Sequence, residues 1–170
     1  MPAGPDPPRV IYAVIETPKG SKNKYEYSRD MDALVLDRVL HSSVVYPLAY
    51  GFVPGTMYED GDPLDVMVLM SEPVDPGCVV RARPLGMLRM MDGGDPDDKI
   101  LASVVGDPRV LEMESYEDLP RHELLEIAEF FRYYKRLEEG RATDVKGWAG
   151  RDEAFEAIQR SIERYRGSRA

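Results

Sequence analysis

The chain has 170 residues, 43% of them hydrophobic, and carries a formal net charge of -9 from 31 acidic against 22 basic residues. That length suits one domain with a sizeable core. The negative field argues against nucleic acid and an anionic membrane surface as the main partner, but leaves an anionic substrate open if the excess acids bind cations.

The opening "MPAGPDPPR" is Pro-rich and polar and lacks the apolar stretch of a signal peptide. Residues 1–8 read as a flexible segment ahead of a single domain. No apolar run nears the roughly 18 residues of a membrane helix. Cys78 is the only cysteine and His41 and His122 the only histidines, which excludes an intrachain disulfide and argues against a closed Cys/His zinc site. These features read as a reducing, cytoplasmic setting. They point any metal to a hard, oxygen-liganded cation: Mg²⁺, Mn²⁺ or Ca²⁺.

"RVIYAVIE" (9–16) is rich in β-branched and aromatic residues and predicts a strand, followed by a Pro/Gly loop over 17–23. "KYEYS" (24–28) alternates, placing Lys24 and Glu26 on one face and Tyr25 and Tyr27 on the other. "RDMD" turns the chain and "ALVLDRVL" (33–40) returns it. "VVYPLAYGFVPG" (44–55) is an aromatic strand broken by Pro and Gly, and "LDVMVLM" (64–70) is a buried strand. "CVVRARPLGMLRM" (78–90) and "KILASVV" (99–105) complete the strands.

Over 118–140 the period changes. Leu124, Ile127, Ala128, Phe131, Tyr134 and Leu137 recur at helical steps, with Asp118 as N-cap, Pro120 in the first turn and Gly140 as the stop. Phe155, Ile158, Ile162 and Tyr165 form the stripe of a second helix. Short strands followed by two helices predict an α+β fold, and a small closed barrel with helices outside fits the count.

Two acidic loops stand out. "EDGDPLD" (59–65) places Asp60, Asp62 and Asp65 in a Gly/Pro turn; "MDGGDPDDK" (91–99) offers Asp92, Asp95, Asp97 and Asp98 before Lys99. Read alone, each is a solvated turn. An EF-hand does not fit, because the third acid of the first loop falls at the wrong position and Pro63 interrupts it. If both loops converged on one pocket, they would bind two or more divalent ions spaced to clamp a phosphoryl group and a water. Lys24, Arg38, Lys99 and Lys135 are candidate cations for an anion. Two of them also have a plain alternative: a surface ion pair for Lys24 with Glu26, and a solvated helix position for Lys135. Tyr46, Tyr50 and Tyr134 read, unaided, as core aromatics with a polar tip.

"EDGDPLDVMVL" closely resembles the D-x-D-P-x-D signature of the soluble family I inorganic pyrophosphatases. "VIETPKGSKNKYEY", "LDRVL", "YPLAYGFVPGT", "PLGMLRMMD", "DDKILA" and "FFRYYKRLEEG" follow in the family's order and spacing, from about residue 10 to about residue 165. The resemblance implies a five-stranded, OB-like antiparallel β-barrel flanked by two helices in the C-terminal half. It implies hydrolysis of inorganic pyrophosphate to two phosphates with several Mg²⁺ ions, Mn²⁺ being a substitute. Asp60, Asp65 and Asp97 would ligate the tightest metal, Asp65 would touch a second, and the attacking water would bridge the two. Asp92 and Asp97 would hold a further metal, and Glu16 and Glu26 would act through metal-bound waters. Asp62 would be the general base, supported by Tyr46. Lys24, Arg38, Tyr50, Lys99, Tyr134 and Lys135 would contact the phosphates. By family analogy the chain would be a homo-oligomer, a hexamer.

Gly93 stands where the family commonly has an acid, and "GRATDVKGW" (140–148) has Ala142 and Asp144 where Trp and Lys are expected. Asp95 and Asp98 read as solvated. Three rivals remain at this point. One is an inactive metal-binding scaffold; Asp62, Lys24 and Arg38 are all present against it. A second is a single-strand-binding OB module, opposed by the acids. The third is a phosphohydrolase of larger phosphate esters.

Overall fold

The computed structural model describes residues 1–169. In chain order the strands are β1 (Ile11–Thr17), β2 (Asn23–Ser28), β3 (Ala33–Val39), β4 (Ala49–Phe52), β5 (Asp65–Leu69), β6 (Val79–Asp92), β7 (Asp95–Pro96), β8 (Lys99–Val104) and β9 (Thr143–Ala149). The helices are α1 (Arg121–Tyr133) and α2 (Arg151–Gly167). β2 and β3 form a two-stranded sheet of their own; the other strands form one sheet.

In the large sheet β1 pairs β4, β4 pairs β5, β5 pairs β8, β8 pairs β6, and β6 pairs β1 again, so these strands close a ring. The long β6 makes closure possible. Its first half pairs β1 and its second half pairs β9 and β7, with register shifts at Pro84/Gly86 and Arg89/Met90 where the strand bends. Close approach of β1 and β4 requires Gly51, because a Cβ there would stand 1.8 Å from the Val14 carbonyl oxygen.

The resemblance implied an antiparallel ring, but the ring is mixed: β5 and β8 run parallel. The cause is topological. β6 turns back through β7 into β8, and β8 inserts between β5 and β6, so it runs in the direction of β5.

Both faces of β5 and β8 are buried, which explains their unbroken apolar runs. Val66, Val68, Ile100 and Ala102 join one cluster with Ala154, Ala157 and Ile158 of α2. Met67, Leu69 and Leu101 join another with Ile127, Ala128, Phe130 and Phe131 of α1. Each helix thus covers its own cluster.

The helix boundaries differ from expectation. α1 begins after Pro120, its N-cap residue, which supplies no side-chain cap. Asp118 instead closes a separate 3-10 turn (Tyr116–Asp118), accepting from the N–H groups of Glu114 and Ser115. α1 ends at Tyr133, and a run of tight turns carries the chain to Gly140. Leu137 is therefore 66% exposed, not part of the buried stripe, whereas Phe130 is buried. In α2, Phe155 and Tyr165 are only half-buried and carry Arg151 and Arg169 over their rings. Residues 143–149, read above only as a departure from the family's pattern, are a strand on β6. Near the N-terminus Ala3 is buried, and its carbonyl accepts from the Tyr12 N–H. No helix of the described residues is long and apolar enough to cross a membrane.

Candidate active site

The two acidic loops converge. Asp60, Asp62 and Asp65 share one cavity, of about 1210 Å³, with Asp92 and Asp97. Glu16, Glu26, Lys24, Tyr50, Lys99, Tyr134 and Lys135 line it as well. Arg38 and Tyr46 do not line it; Arg38 stands opposite the lining residue Lys24. Tyr46 is buried against the rings of Tyr50 and Phe130, with centroids 5.2 and 4.7 Å away.

The convergence follows from the parallel pairing. Asp65 opens β5 and Lys99 opens β8, and the two are register partners. Lys99, 1% exposed, places its ammonium 2.6 Å from Oδ2 of Asp65 and 2.5 Å from Oδ1 of Asp97. The Tyr50 hydroxyl donates to the same Asp65 oxygen at 2.6 Å. Lys135 pairs with Asp92 across the cavity. Asp62 is exposed; its backbone N–H donates to Oδ1 of Asp60 at 3.0 Å, tightening the turn.

Glu16 sits where the β1–β4 register shifts between Ile15 and Thr17, the kind of bulge that re-aims a side chain. Its carboxylate accepts the Tyr27 N–H at 2.8 Å, and the neighbouring Thr17 hydroxyl accepts the Tyr25 N–H at 3.1 Å. These two side chains fasten the β2–β3 hairpin to the large sheet. On that hairpin Lys24 and Arg38 are directly opposed. A register shift leaves Asp37 as the extra residue, and it pairs with both cations. Lys24 also pairs with Glu26.

Burial sets the protonation states. It pushes the Glu16 carboxyl up to about 7, against the opposing hydrogen bond from Tyr27. Burial also raises Asp97, although the Lys99 ammonium beside it pulls the other way. The Tyr46, Tyr50 and Tyr134 hydroxyls are raised well above 10 by burial, so they stay neutral donors near pH 7.

Three residues were missed or misread in the sequence. Asp98 is not a solvated acid: it accepts from the Tyr58 hydroxyl at 2.7 Å and from the Met90 N–H at 3.0 Å, pinning the second acidic loop. Asp37 is the bulge residue just described. Glu138, 8% exposed, brings Oε1 to 2.7 Å from Nε of Arg38, close but without a linear hydrogen bond. Only their position inside "LDRVL" and "YYKRLEEG" marked the last two, since linear spacing does not show which strand a helix end meets.

The donor set is all oxygen, and eight carboxylates face five basic groups around the cavity. That excess suits a hard divalent cation. Among the described residues no three acids stand as a ligand cluster; Lys99 pairs with Asp65 and Asp97, and Lys135 with Asp92.

The chain is similar to known proteins over nearly its whole length. The family model described as inorganic pyrophosphatase matches residues 13–166. An inorganic pyrophosphatase of Synechocystis sp. is 52% identical over 92% of each chain. One of Haloferax volcanii is 48% identical over 97% of this chain and 93% of its own. The crystal structure of an inorganic pyrophosphatase from Thermus thermophilus superimposes with a TM-score of 0.95 at 43% identity, covering 98% of this chain and 97% of its own.

Proposed function

The chain belongs to the inorganic pyrophosphatase family, family I, and from that premise we propose that this cavity hydrolyses inorganic pyrophosphate with Mg²⁺. The observation that carries the reading is the meeting of both Asp loops and three lysines around one cavity, in a chain of this family. The closed ring of strands we read as an OB-like barrel, with residues 1–8 as a peripheral segment of one domain. A homo-oligomer, a hexamer by family analogy, and a reducing cytoplasmic setting go with the reading.

Asp60, Asp65 and Asp97 would hold the tightest cation, Asp92 with Asp97 a further one, and Glu16 and Glu26 would act through water. When bound, Mg²⁺ acidifies water and neutralises phosphate charge. Asp62 is the general base. Its exposed carboxylate accepts no hydrogen bond from the described residues, so it is free to take a proton from water. Tyr46 supports the base indirectly through its packing on Tyr50.

Lys24, Arg38, Lys99 and Lys135 neutralise the phosphates, and the Tyr50 and Tyr134 hydroxyls donate to them. Lys99 and Lys135 are counter-ions to the acids before substrate arrives. With a cation held by the carboxylates, these ammonium groups would be free to neutralise the anion. Lys135, Arg38 and Tyr134 then stabilise charge growing on the bridging oxygen as the leaving phosphate departs.

The test is phosphate release from pyrophosphate by the purified chain with Mg²⁺, then with excess chelator. Release that the chelator abolishes is expected. A folded, metal-binding chain that releases nothing would make the inactive scaffold the better account.

A further inference from the structure

We propose that Glu138 is the positioning residue for Arg38; this rests on the reading of the cavity as a pyrophosphate hydrolase. Arg38 lies on the separate β2–β3 sheet, whose side-chain hydrogen bonds to the body, from Glu16 and Thr17, are on the β1 side, while Leu40 just past β3 is buried in the cluster that α1 covers. Toward α1 the described ion pairs provide one tie, Nε of Arg38 to Oε1 of Glu138 at 2.7 Å. Asp37 also pairs with Arg38, but it is the next residue on the same strand. It moves with the hairpin and cannot set Arg38 against the rest of the cavity. Glu138 can.

Glu138 is held by the turn that presents the site. Its N–H donates to the Lys135 carbonyl at 3.0 Å, and the Tyr134 N–H donates to the Phe130 carbonyl at 2.8 Å. One short run of backbone therefore fixes Tyr134, Lys135 and Glu138 together, and Glu138 transmits that placement to Arg38. A buried carboxylate is costly unless paired, and Arg38 is its cationic partner among the described residues. Oε2 of Glu138 and Nη2 of Arg38 are both buried with no protein partner. The pair thus keeps spare hydrogen-bonding capacity on each side, which a packed structural bridge would have consumed. Glu138 touches neither substrate nor metal in this account; it acts through the guanidinium.

The test is a double-mutant cycle read in steady-state hydrolysis of pyrophosphate, with thermal melting to check the fold. E138Q is expected to lower kcat/KM on the order of 10-fold to 100-fold, the cost of misplacing a binding group. Its split between kcat and KM should match that of R38A. E138D, which keeps the charge on a shorter arm, should recover part of the loss. In the R38A background E138Q should change nothing further. Wild-type kinetics in E138Q, or losses that multiply in R38A/E138Q, would overturn the assignment. Should E138Q not fold, E138D and R38A/E138D carry the same cycle. An unmodified chain without hydrolysis would sink the functional reading itself, whereas an active chain indifferent to E138Q would sink only the role of Glu138.

Discussion

Asp65 and Lys99 face one another at the mouth of the β5–β8 parallel pair, with 2.6 Å between carboxylate and ammonium. Lys99 also reaches Asp97, so one buried cation balances two acids. Removing it leaves two neighbouring carboxylates uncompensated. The K99M variant is expected to lose about 3 kcal/mol or more of stability in chelator at pH 7, as broken buried pairs do. Mg²⁺ should restore part of this, while hydrolysis stays slow. Urea unfolding with and without Mg²⁺ checks it; a K99M chain as stable as wild type in chelator would contradict the arrangement.

Asp62→Asn removes the proposed base and nearly preserves shape. The fold and metal binding should persist while kcat falls about 100-fold or more, within the range for general-base groups. Phosphate release alongside Mg²⁺ titration by calorimetry separates the two. Undiminished turnover would return Asp62 to an ordinary turn acid.

Glu16 gives a pH dependence with an uncommon sign. Its carboxyl is raised by burial from 4.5 to about 7. Between these values the folded chain holds a proton that the unfolded chain has released, so stability falls as pH rises through this window and stays lowered above it. Asp97, also raised by burial, adds in the same direction. Asp37, Asp107 and Asp118 are lowered, so their contributions change only at more acid pH. In chelator, melting temperature should decline from pH 5 to pH 8, and E16Q should flatten the decline. An E16Q chain with an unchanged slope would show that Glu16 is not the group responsible.

Asp98→Ala removes the acceptor for Tyr58 and Met90. The loss expected is about 1–3 kcal/mol, since each donor is left to find water or nothing. Activity should fall as well, because Asp97 and Lys99 flank the pinned residue. Urea unfolding of D98A against wild type is the measurement, and D98N, which retains an acceptor, should lie between them.

Much of this was legible because periodicity reports burial. The strand cores, the apolar stripe of α1 through Phe131 and Tyr134, and the turn character of both Asp loops are local properties of the chain. The parallel pairing was not legible: whether β8 sits beside β5 or beyond β6 depends on which edges are free, and no residue in "KILASVV" records it. β9 escaped notice because "TDVKGWA" is half-exposed and carries a Gly in its middle, so its alternation is weak. The helix stop was placed at Gly140 because the run from Tyr134 to Glu139 keeps helical composition; tight turns take over there to bring Glu138 toward Arg38. Asp98 looked like its solvated neighbours because its two donors lie elsewhere in the chain.

The hairpin of β2 and β3 is the feature with the widest reach. Lys24 and Arg38 travel on it, whereas Asp60, Asp65, Asp92 and Asp97 belong to the large sheet and its loops. Two of the proposed phosphate contacts, together with Glu26, thus ride on a sheet of their own, while Tyr50, Lys99, Tyr134 and Lys135 stay with the body that carries the Asp loops. A substitution at Glu16, Thr17 or Glu138, which fasten the hairpin, would shift Lys24 and Arg38 relative to those groups without replacing either. The hairpin's seat is thus a second handle on the cavity, apart from the residues that hold the Asp loops together.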